Sequence, residues 1–408
     1  MRGRCIQELF ERQDMREFAL RAARMFDGFR MRGPVTVQVG NGRIMRIDSG
    51  LGLRADDPGV IDLGPDSCLL PGLVDTHVHL AFNASADPVS ALSTMDDEKL
   101  LATMGDSAHL AVQAGMTTVR DLGDRGYLSE VLNGRLMRQP ESGPEIVYAG
   151  APITTPDGHC FFLGGEVADR EALLAAVRER QSHGCAVVKI MVSGGTMTPG
   201  SPPPYESQFS RAEVAMAVAE AHRLGMRVAA HAHGTEAIRD AVAAGVDTIE
   251  HASFMTENGS HVDAGLVREI VDRDVFVSLT LGFHPAAGVP DLPPAVAARM
   301  AAIRHAYLVL YDAGAKLVLG TDAGIAPFKP HDVLPYAIEQ LADLGVAPAD
   351  ALSAATSGAA EACGAEDRKG RIVEGADADF LVVPGDPLTD LSVLQKPSAV
   401  FRAGVRVR

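Results

Sequence analysis

The sequence lacks the features of secreted disulfide-rich proteins and of membrane-spanning proteins. Its five cysteines are odd in number, scattered and without a Cys-X-X-Cys pair. This pattern argues against a disulfide scaffold and is typical of a reducing compartment. No apolar stretch reaches the roughly 18 residues that a membrane span needs. We therefore expect a cytoplasmic protein with no membrane partner.

Positive charge is also scarce. The chain has 37 Lys and Arg residues against 53 Asp and Glu residues, and its formal net charge is -16. This balance disfavours nucleic acid as a partner. The apolar share of 47% and charged share of 22% are typical of a globular protein. A length of 408 residues allows one large domain and a smaller one, and it leaves open whether the chain forms a homo-oligomer.

Both ends of the chain have sequence patterns that are typical of short β-strands. Residues 1–14 are charged and lack the apolar core of a signal peptide, so we interpret them as an N-terminal extension. Alternating apolar residues over 35–47 flank an Asn-Gly pair at 41–42, which predicts a hairpin. Similar texture returns near the C-terminus. We predict that 15–70 and 366–408 form one small composite β-sandwich.

Between these ends, strand-like runs alternate with helical stretches. Several runs are almost continuously apolar, as strands buried on both faces should be. This alternation predicts an α/β fold, a (β/α)8 TIM barrel over 71–365. A doubly wound open sheet is the alternative, but it usually has fewer strands and a glycine-rich first turn that is missing here. The eight runs are 73–80, 117–121, 145–149, 186–192, 227–231, 247–251, 275–279 and 316–322.

Polar residues of a few types recur where the predicted barrel strands end. His77 and His79 close the first run, and side chains two residues apart on a strand point to the same side. Function in such a barrel sits at these strand ends. The other ends carry Lys189, His231, His233, His251 and Asp322.

Each of these residues alone has a plainer interpretation. A histidine at a strand end can be a hydrogen-bonded surface residue, and Asp322 can be a turn or N-cap aspartate. Lys189 lies in an apolar strand, where a buried ammonium needs a carboxylate partner such as Glu250 or Asp121. It is implausible that all of these residues have separate structural roles at the same face of one barrel. Their common location favours a metal site.

Lys189 has a chemical role in such a site. A lysine amine that its surroundings deprotonate can take up carbon dioxide and become a carbamate, an anionic oxygen ligand able to bridge two metal ions. The set of imidazole, carboxylate and carbamate ligands suits zinc, with manganese, cobalt, nickel and iron left open. Water on such ions has its pKa lowered to about 7, and Asp322 can take up its proton and pass it to a leaving amine.

Five motifs resemble the amidohydrolase superfamily over nearly the whole chain. Within the superfamily, the residues around Lys189 and His231 are similar to those of the prolidase and imidazolonepropionase-related group of metal-dependent hydrolases. The C-terminal segments RKG at 368–370 and GDP at 385–387 resemble the return of that family to its β-sandwich. The motifs are PGLVDTHVH at 71–79, VKIMVSGG at 188–195, AHAHG at 230–234, IEH at 249–251 and GTDAG at 320–324.

The resemblance assigns a role to each residue. It implies that His77, His79 and Asp322 hold the more buried ion, that His231 and His251 hold the second, and that carboxylated Lys189 bridges them. His159 resembles a position that polarises the substrate carbonyl, with a polar loop histidine as the alternative. Substrate contacts are expected from His233, for example to a terminal carboxylate, and from Tyr205 in the proline-rich loop after the fourth strand. Arg120 and Arg125 could meet an acidic substrate group, although solvated loop charges are the default.

These observations predict a binuclear metal-dependent amidohydrolase in which hydroxide attacks the amide carbonyl of a dipeptide or N-acyl amino acid. Other bonds remain alternatives at the same site: a cyclic amide, as in imidazolonepropionase, a phosphotriester, or deamination. The resemblance implies that imidazolonepropionase uses one metal and no bridging lysine, so Lys189 argues against that activity. A non-catalytic barrel is the alternative of a different class, and it would carry substituted ligands.

Overall fold

Seven short strands precede the barrel in this computed structural model, which describes residues 17–285 and 294–408. The predicted hairpin is confirmed: β4 pairs antiparallel with β5. Asn41 and Gly42 at its turn have φ of 52° and 75°, as a type I′ turn requires. The strands are β1 (Glu17–Ala22), β2 (Arg24–Phe26), β3 (Met31–Arg32), β4 (Val35–Gly40), β5 (Arg43–Ser49), β6 (Val60–Asp62) and β7 (Ser67–Pro71).

The predicted barrel is confirmed, with its eight parallel strands among the described residues. They are β8 (Leu73–Val78), β9 (Met116–Asp121), β10 (Glu145–Tyr148), β11 (Val187–Met191), β12 (Arg227–Gly234), β13 (Thr248–Thr256), β15 (Phe276–Leu279) and β16 (Lys316–Leu319). A short strand, β14 (Gly259–Ser260), pairs antiparallel with β13.

Two contacts between strand ends close the cylinder. Strands β8 to β10 form one run and β11 to β16 another. Ile153, just after β10, bridges to Ile190 of β11, and Val78 of β8 bridges to Ala323 just after β16. Because all eight strands run the same way, their carboxyl ends open on one face, and this face carries the site.

Helices alternate with the barrel strands in the described residues. One helix begins with a capping box, in which the Ser210 and Glu213 side chains each bond the backbone of the other residue. None of these helices has the length and apolar character to cross a bilayer. They are α1 (Pro88–Ser93), α2 (Asp97–Gln113), α3 (Leu128–Leu136), α4 (Arg170–Ser182), α5 (Arg211–Arg223), α6 (Thr235–Ala244), α7 (Ala264–Asp272), α8 (Pro294–Asp312), α9 (Leu334–Asp343), α10 (Pro348–Ser353) and α11 (Ser357–Ala362).

The two ends of the chain meet in the sandwich, as predicted. Strands β17 (Phe380–Pro384), β18 (Ala399–Arg402) and β19 (Val405–Arg406) extend a sheet ordered β19-β18-β17-β7-β2-β3. The facing sheet is ordered β5-β4-β1-β6. Leu20, Val37 and Phe380 are fully buried in the core of this unit. The exact domain limits stay predictions, and the extension over 1–14 lies outside the described residues.

A buried ion cluster joins the barrel to the C-terminal segment. The Lys369 ammonium lies 2.9 Å from Glu145 at the start of β10, 2.9 Å from Asp377 and 2.8 Å from Asp379. Burial alone would raise the pKa of Glu145, but Lys369 and Arg368 lower it to about 2. Without the lysine, Arg368 would still pair with Glu145 and Asp377, but the buried Asp379 would lose its ion-pair partner among the described residues.

The substitution Lys369→Met should therefore destabilise the fold by about 3–5 kcal/mol, the usual effect of removing one partner from a buried ion cluster. Urea denaturation measures the free energy of unfolding. Lys99→Met, the same change at an exposed position of α2, is the matched control and should leave that free energy nearly unchanged. Equal denaturation midpoints for the two variants would show that the cluster does not stabilise the fold.

Candidate metal centre

The side chains predicted from the strand ends converge on one cavity of about 360 Å³. It opens at the carboxyl face of the barrel. His77 lies one residue before the end of β8, Lys189 lies within β11, and Asp322 follows β16 by three residues. The predicted residues that line the cavity are His77, His79, His159, Lys189, His231, His233, His251 and Asp322.

One cluster consists of His77, His79 and Asp322. The two Nε2 atoms lie 3.3 Å apart, and the Asp322 Oδ1 atom lies 3.5 Å from Nε2 of His77 and 3.3 Å from Nε2 of His79. Three ligand atoms aimed at one point, on buried side chains, are the arrangement that a divalent ion requires.

Three further histidines, His231, His233 and His251, have ligand atoms close enough together to hold an ion. We use the name second cluster for His231 and His251, the two ligands that the resemblance implies. Nε2 of His251 lies 3.0 Å from Nδ1 of His231. The His233 ring stacks on His251 with centroids 4.2 Å apart, and its Nδ1 lies 2.9 Å from the Ser253 hydroxyl. His233 is thus beside this cluster, and its predicted role as a substrate contact stays a prediction.

Lys189 is buried, and its Nζ has no hydrogen-bond partner among the described residues. Burial lowers the pKa of this amine to about 8, although Glu250 and Asp322 oppose the shift. The alternative interpretation was that Glu250 or Asp121 pairs with the Lys189 ammonium. Glu250 and Asp121 both bond to other groups and neither bonds to Lys189. A buried amine with a lowered pKa and no partner fits conversion to a carbamate.

Glu250 is a functional candidate that the sequence alone indicated only as a possible carboxylate partner of Lys189. Its Oε2 lies 3.0 Å from Nδ1 of His77, and its Oε1 accepts from Arg120 and Thr248 at 2.9 Å each. Burial would raise the pKa of Glu250, but Arg120, His77 and Lys189 hold it below its usual range. A carboxylate on the outer nitrogen of a histidine fixes the ring and its tautomer.

Neither Arg120 nor Arg125 lines the cavity, so the structure does not support the suggested substrate contacts. Arg120 is buried, and it donates to the Thr76 carbonyl at 2.6 Å as well as to Glu250. Arg125 donates to Asp97 at 2.9 Å. The signal that could have identified Arg120 was its place inside an apolar strand, where a guanidinium needs a buried acid.

The electrostatic surroundings of Asp322 favour its ionised form. Burial would raise its pKa, but His77, His79 and Lys329 hold it well below its usual value. Its φ is 57°, and that of His251 is 73°. Non-glycine residues in this left-handed region are strained and concentrate at functional sites. These two backbone conformations, one after β16 and one within β13, therefore place candidate ligand side chains in the cavity lining.

A buried aspartate fixes the first cluster from below. Asp75 accepts from the His77 and Thr321 amides at 3.1 and 3.0 Å, and from the Thr321 hydroxyl at 2.7 Å. Burial raises the pKa of Asp75 to about 6. These bonds tie β8 to the segment after β16, so His77 and Asp322 are held in one rigid frame.

His159 enters the cavity from the loop after β10. Its ring centroid lies 4.9 Å from that of His231, and its Nδ1 lies 3.1 Å from the Thr198 hydroxyl. A Cβ at Gly195 would overlap the His159 ring, so the glycine is required for this close approach. Tyr205 is not part of the cavity lining; its backbone packs against Gly234 at the end of β12.

A family model described as the amidohydrolase family matches residues 68–407. The chain belongs to this family. Members generally use a divalent metal, and the two clusters supply candidate ligands for it.

The amidohydrolase relatives agree on the kind of bond. Ochratoxinase of Aspergillus niger is 31% identical over 369 residues, covering 81% of this chain and 73% of the relative. Imidazolonepropionase of Deinococcus deserti is 28% identical over 385 residues, covering 85% of each. A solved Xaa-Pro dipeptidase with methionine bound in its active site has a TM-score of 0.83 at 27% identity, covering 96% of this chain and 99% of that one. This amidohydrolase is a hydrolase of carbon–nitrogen bonds.

The close approach of Gly195 to His159 gives a direct test of the cavity geometry. Gly195→Ala should push the His159 ring away, and a displacement of ~1 Å can lower kcat/KM by ~10²-fold. The measurement is steady-state amide hydrolysis together with metal content, which should not change. Gly105→Ala in α2, where an added Cβ meets nothing within 4 Å, is the control and should be fully active. Full activity of Gly195→Ala would show that His159 does not need this position.

Proposed function

We propose that the chain is a binuclear metal-dependent amidohydrolase that cleaves a dipeptide or an N-acyl amino acid. The observation that carries this proposal is the buried Lys189 amine without a partner, in a cavity shared with two histidine clusters. A carbamate on that amine would supply the anionic oxygen that both ions need, and it would remove an otherwise unpaired buried ammonium.

The ligand set assigns residues to each ion. In this proposal His77, His79 and Asp322 hold one ion, His231 and His251 hold the other, and carboxylated Lys189 bridges them. The nitrogen and oxygen donors suit zinc. When bound, the ions polarise the amide carbonyl and lower the pKa of a water molecule to about 7.

Asp322 and His159 would carry the proton and charge movements. Hydrolysis adds hydroxide to the carbonyl carbon, breaks the C–N bond and delivers a proton to the departing amine. Asp322, ionised at neutral pH, accepts the proton of the water and passes it to that amine. His159 donates a hydrogen bond from Nε2 to the carbonyl oxygen as negative charge develops there.

We place the proton of the His159 ring on Nε2. The Thr198 hydroxyl accepts from the Cys160 amide at 2.8 Å and lies 3.1 Å from Nδ1 of His159, to which it can donate its own proton. With Nδ1 as acceptor, the neutral ring carries its proton on Nε2. Burial lowers the pKa of His159 to about 4, so the ring is neutral at pH 7.

The substrate class is supported by the relatives. Ochratoxinase, a Xaa-Pro dipeptidase and a prolidase complexed with N-methylphosphonate-L-proline are all similar to this chain. His233, beside the second cluster, is proposed as a substrate contact, and Tyr205 is proposed for the same role from its loop. We also propose that the enzyme is cytoplasmic, with a sandwich over 15–70 and 366–408 around a barrel over 71–365.

Cyclic amide hydrolysis is the second candidate, because imidazolonepropionases are among the relatives. Lys189 separates the two activities, since a carbamate bridge makes the site binuclear. A panel of dipeptides and N-acyl amino acids, with the cyclic amide imidazolone propionate alongside, compares the two directly. Cleavage of the cyclic amide alone, with one ion per chain, would overturn the proposal.

The role of Lys189 gives the main mutational test. Lys189→Ala should lower bound metal from two ions per chain to one or none and reduce kcat/KM by at least ~10²-fold, because the shared ligand is lost. Elemental analysis and amide hydrolysis measure the two effects. Lys99→Ala on the exposed side of α2 is the control and should retain metal and activity. A Lys189→Ala enzyme with two ions and full activity would contradict the proposal.

The tautomer of His159 gives a second test. Thr198→Val removes the hydroxyl that fixes Nδ1 and should lower kcat by ~10-fold, with metal content unchanged. Thr198→Ser keeps the hydroxyl and should restore most of the activity. If the valine and serine variants have the same kcat, Thr198 does not act through its hydroxyl.

A further inference from the structure

One face of α8 forms a wall of the cavity. Met300, Ile303, Arg304 and Tyr307 all line it, and their spacing of three, four and seven residues places them on one side of a helix. The Tyr307 hydroxyl donates to the His251 carbonyl at 3.1 Å. This bond fixes the helix against the second histidine cluster. Arg304 lies about 4.5 Å along the axis from Tyr307.

Three cationic side chains are among the described residues that line the cavity. Two of them, Lys329 and Lys189, already have a hydrogen-bonding or proposed metal-binding role. The Lys329 amine donates to the carbonyls of Thr321, Thr280 and Leu281 at 2.6, 3.1 and 3.4 Å, which uses its three protons. Lys189 belongs to the metal centre in the proposed function. Arg304 has no hydrogen bond or ion pair with any residue in the described part of the chain.

Arg304 is exposed, and no acid in the described ranges 17–285 and 294–408 pairs with it, although the chain has a net charge of -16. The one carboxylate in the described lining is Asp322, and it already contacts His77 and His79 within the first cluster. A guanidinium that faces a cavity with no acid of its own is complementary to an anionic group on a ligand. Its planar fork matches a carboxylate with two parallel hydrogen bonds.

Much of the rest of the wall is apolar, with Thr196, Ser253 and Thr280 as its hydroxyl-bearing side chains. Besides the ligand histidines, the lining is rich in methionine and in branched or aromatic side chains, which adapt to bulky apolar groups. These residues are Met197, Met255, Phe283, Met300, Ile303 and Ile325. Among the described lining residues, Arg304 is therefore the cationic side chain left without a partner, on a wall that is largely methionine and branched or aromatic side chains.

We propose that Arg304 is a specificity-determining residue that binds the free carboxylate of the leaving amino acid, and that the enzyme selects amides with a bulky apolar body and this one anionic group. The inference rests on the proposed function and names its substrate class. His233 supplies at most one hydrogen bond from its remaining ring nitrogen, because its Nδ1 is engaged by Ser253. The charge that complements a carboxylate comes from Arg304.

The test compares an acid with its neutral counterpart. N-acetylphenylalanine and N-acetylphenylalaninamide differ only in the carboxyl group, and release of acetate from each gives kcat/KM. The metal-loaded wild type should favour the acid by at least ~10-fold, as expected for a charge-assisted bidentate contact. Arg304→Gln should remove this preference through a higher KM for the acid. Its kcat, its metal content and its cleavage of the carboxamide should match the wild type.

Two further variants sharpen the result. Arg304→Lys keeps the charge without the fork and should retain part of the preference. Arg299→Gln changes an exposed arginine of the same helix that does not line the cavity, and it should behave as wild type. An unchanged acid preference in Arg304→Gln would overturn the role of Arg304.

The proposed function and the inference fail in different ways. If the wild type cleaves both compounds equally, the amidohydrolase activity stands and the carboxylate contact is overturned. If metal-loaded wild type cleaves neither these compounds nor any dipeptide or N-acyl amino acid, the proposed function falls, and the inference falls with it.

Discussion

The site depends on a lysine amine that is buried in the barrel without a partner. An ammonium in that position is destabilised by the loss of water, and the pKa of Lys189 falls to about 8. The interior carboxylates that could have neutralised it bond to other groups. A fold that keeps such a group bears an energetic penalty, and in the proposed function conversion to a metal-bound carbamate would remove it. The two histidine clusters beside it supply the remaining ligands of that account.

Charged residues beneath the ligands hold them rigidly. Glu250 links His77 to the buried Arg120, and Asp75 ties His77 to Thr321. The Glu250 contacts cross the barrel interior from β13 to β8 and β9, whereas the Asp75 bonds join β8 to the segment after its neighbour β16, so the barrel strands and the candidate ligands are held together. Ligands on strands, supported by buried hydrogen bonds, keep the geometry that metal binding and catalysis need.

The sequence predicts much of the fold, because buried parallel strands are visible as apolar runs and turn residues mark the hairpin. Residues at strand ends, such as His77 and Asp322, were found because strand direction alone brings them to one face. The Glu250 support and the Thr198 contact to His159 depend on approaches between distant segments, which no local pattern encodes. The suggested substrate contact of Arg120 could not be ruled out from the sequence, because its partner Glu250 lies far away in the chain, on β13. The place of Arg304 in the lining likewise depends on how α8 packs.

The most direct test of this account is carbon-13 NMR of the metal-loaded enzyme prepared with ¹³C-bicarbonate. The account predicts a carbamate resonance in the wild type that is lost in Lys189→Ala. An enzyme that binds two ions per chain and hydrolyses amides, yet shows no carbamate resonance, would contradict it.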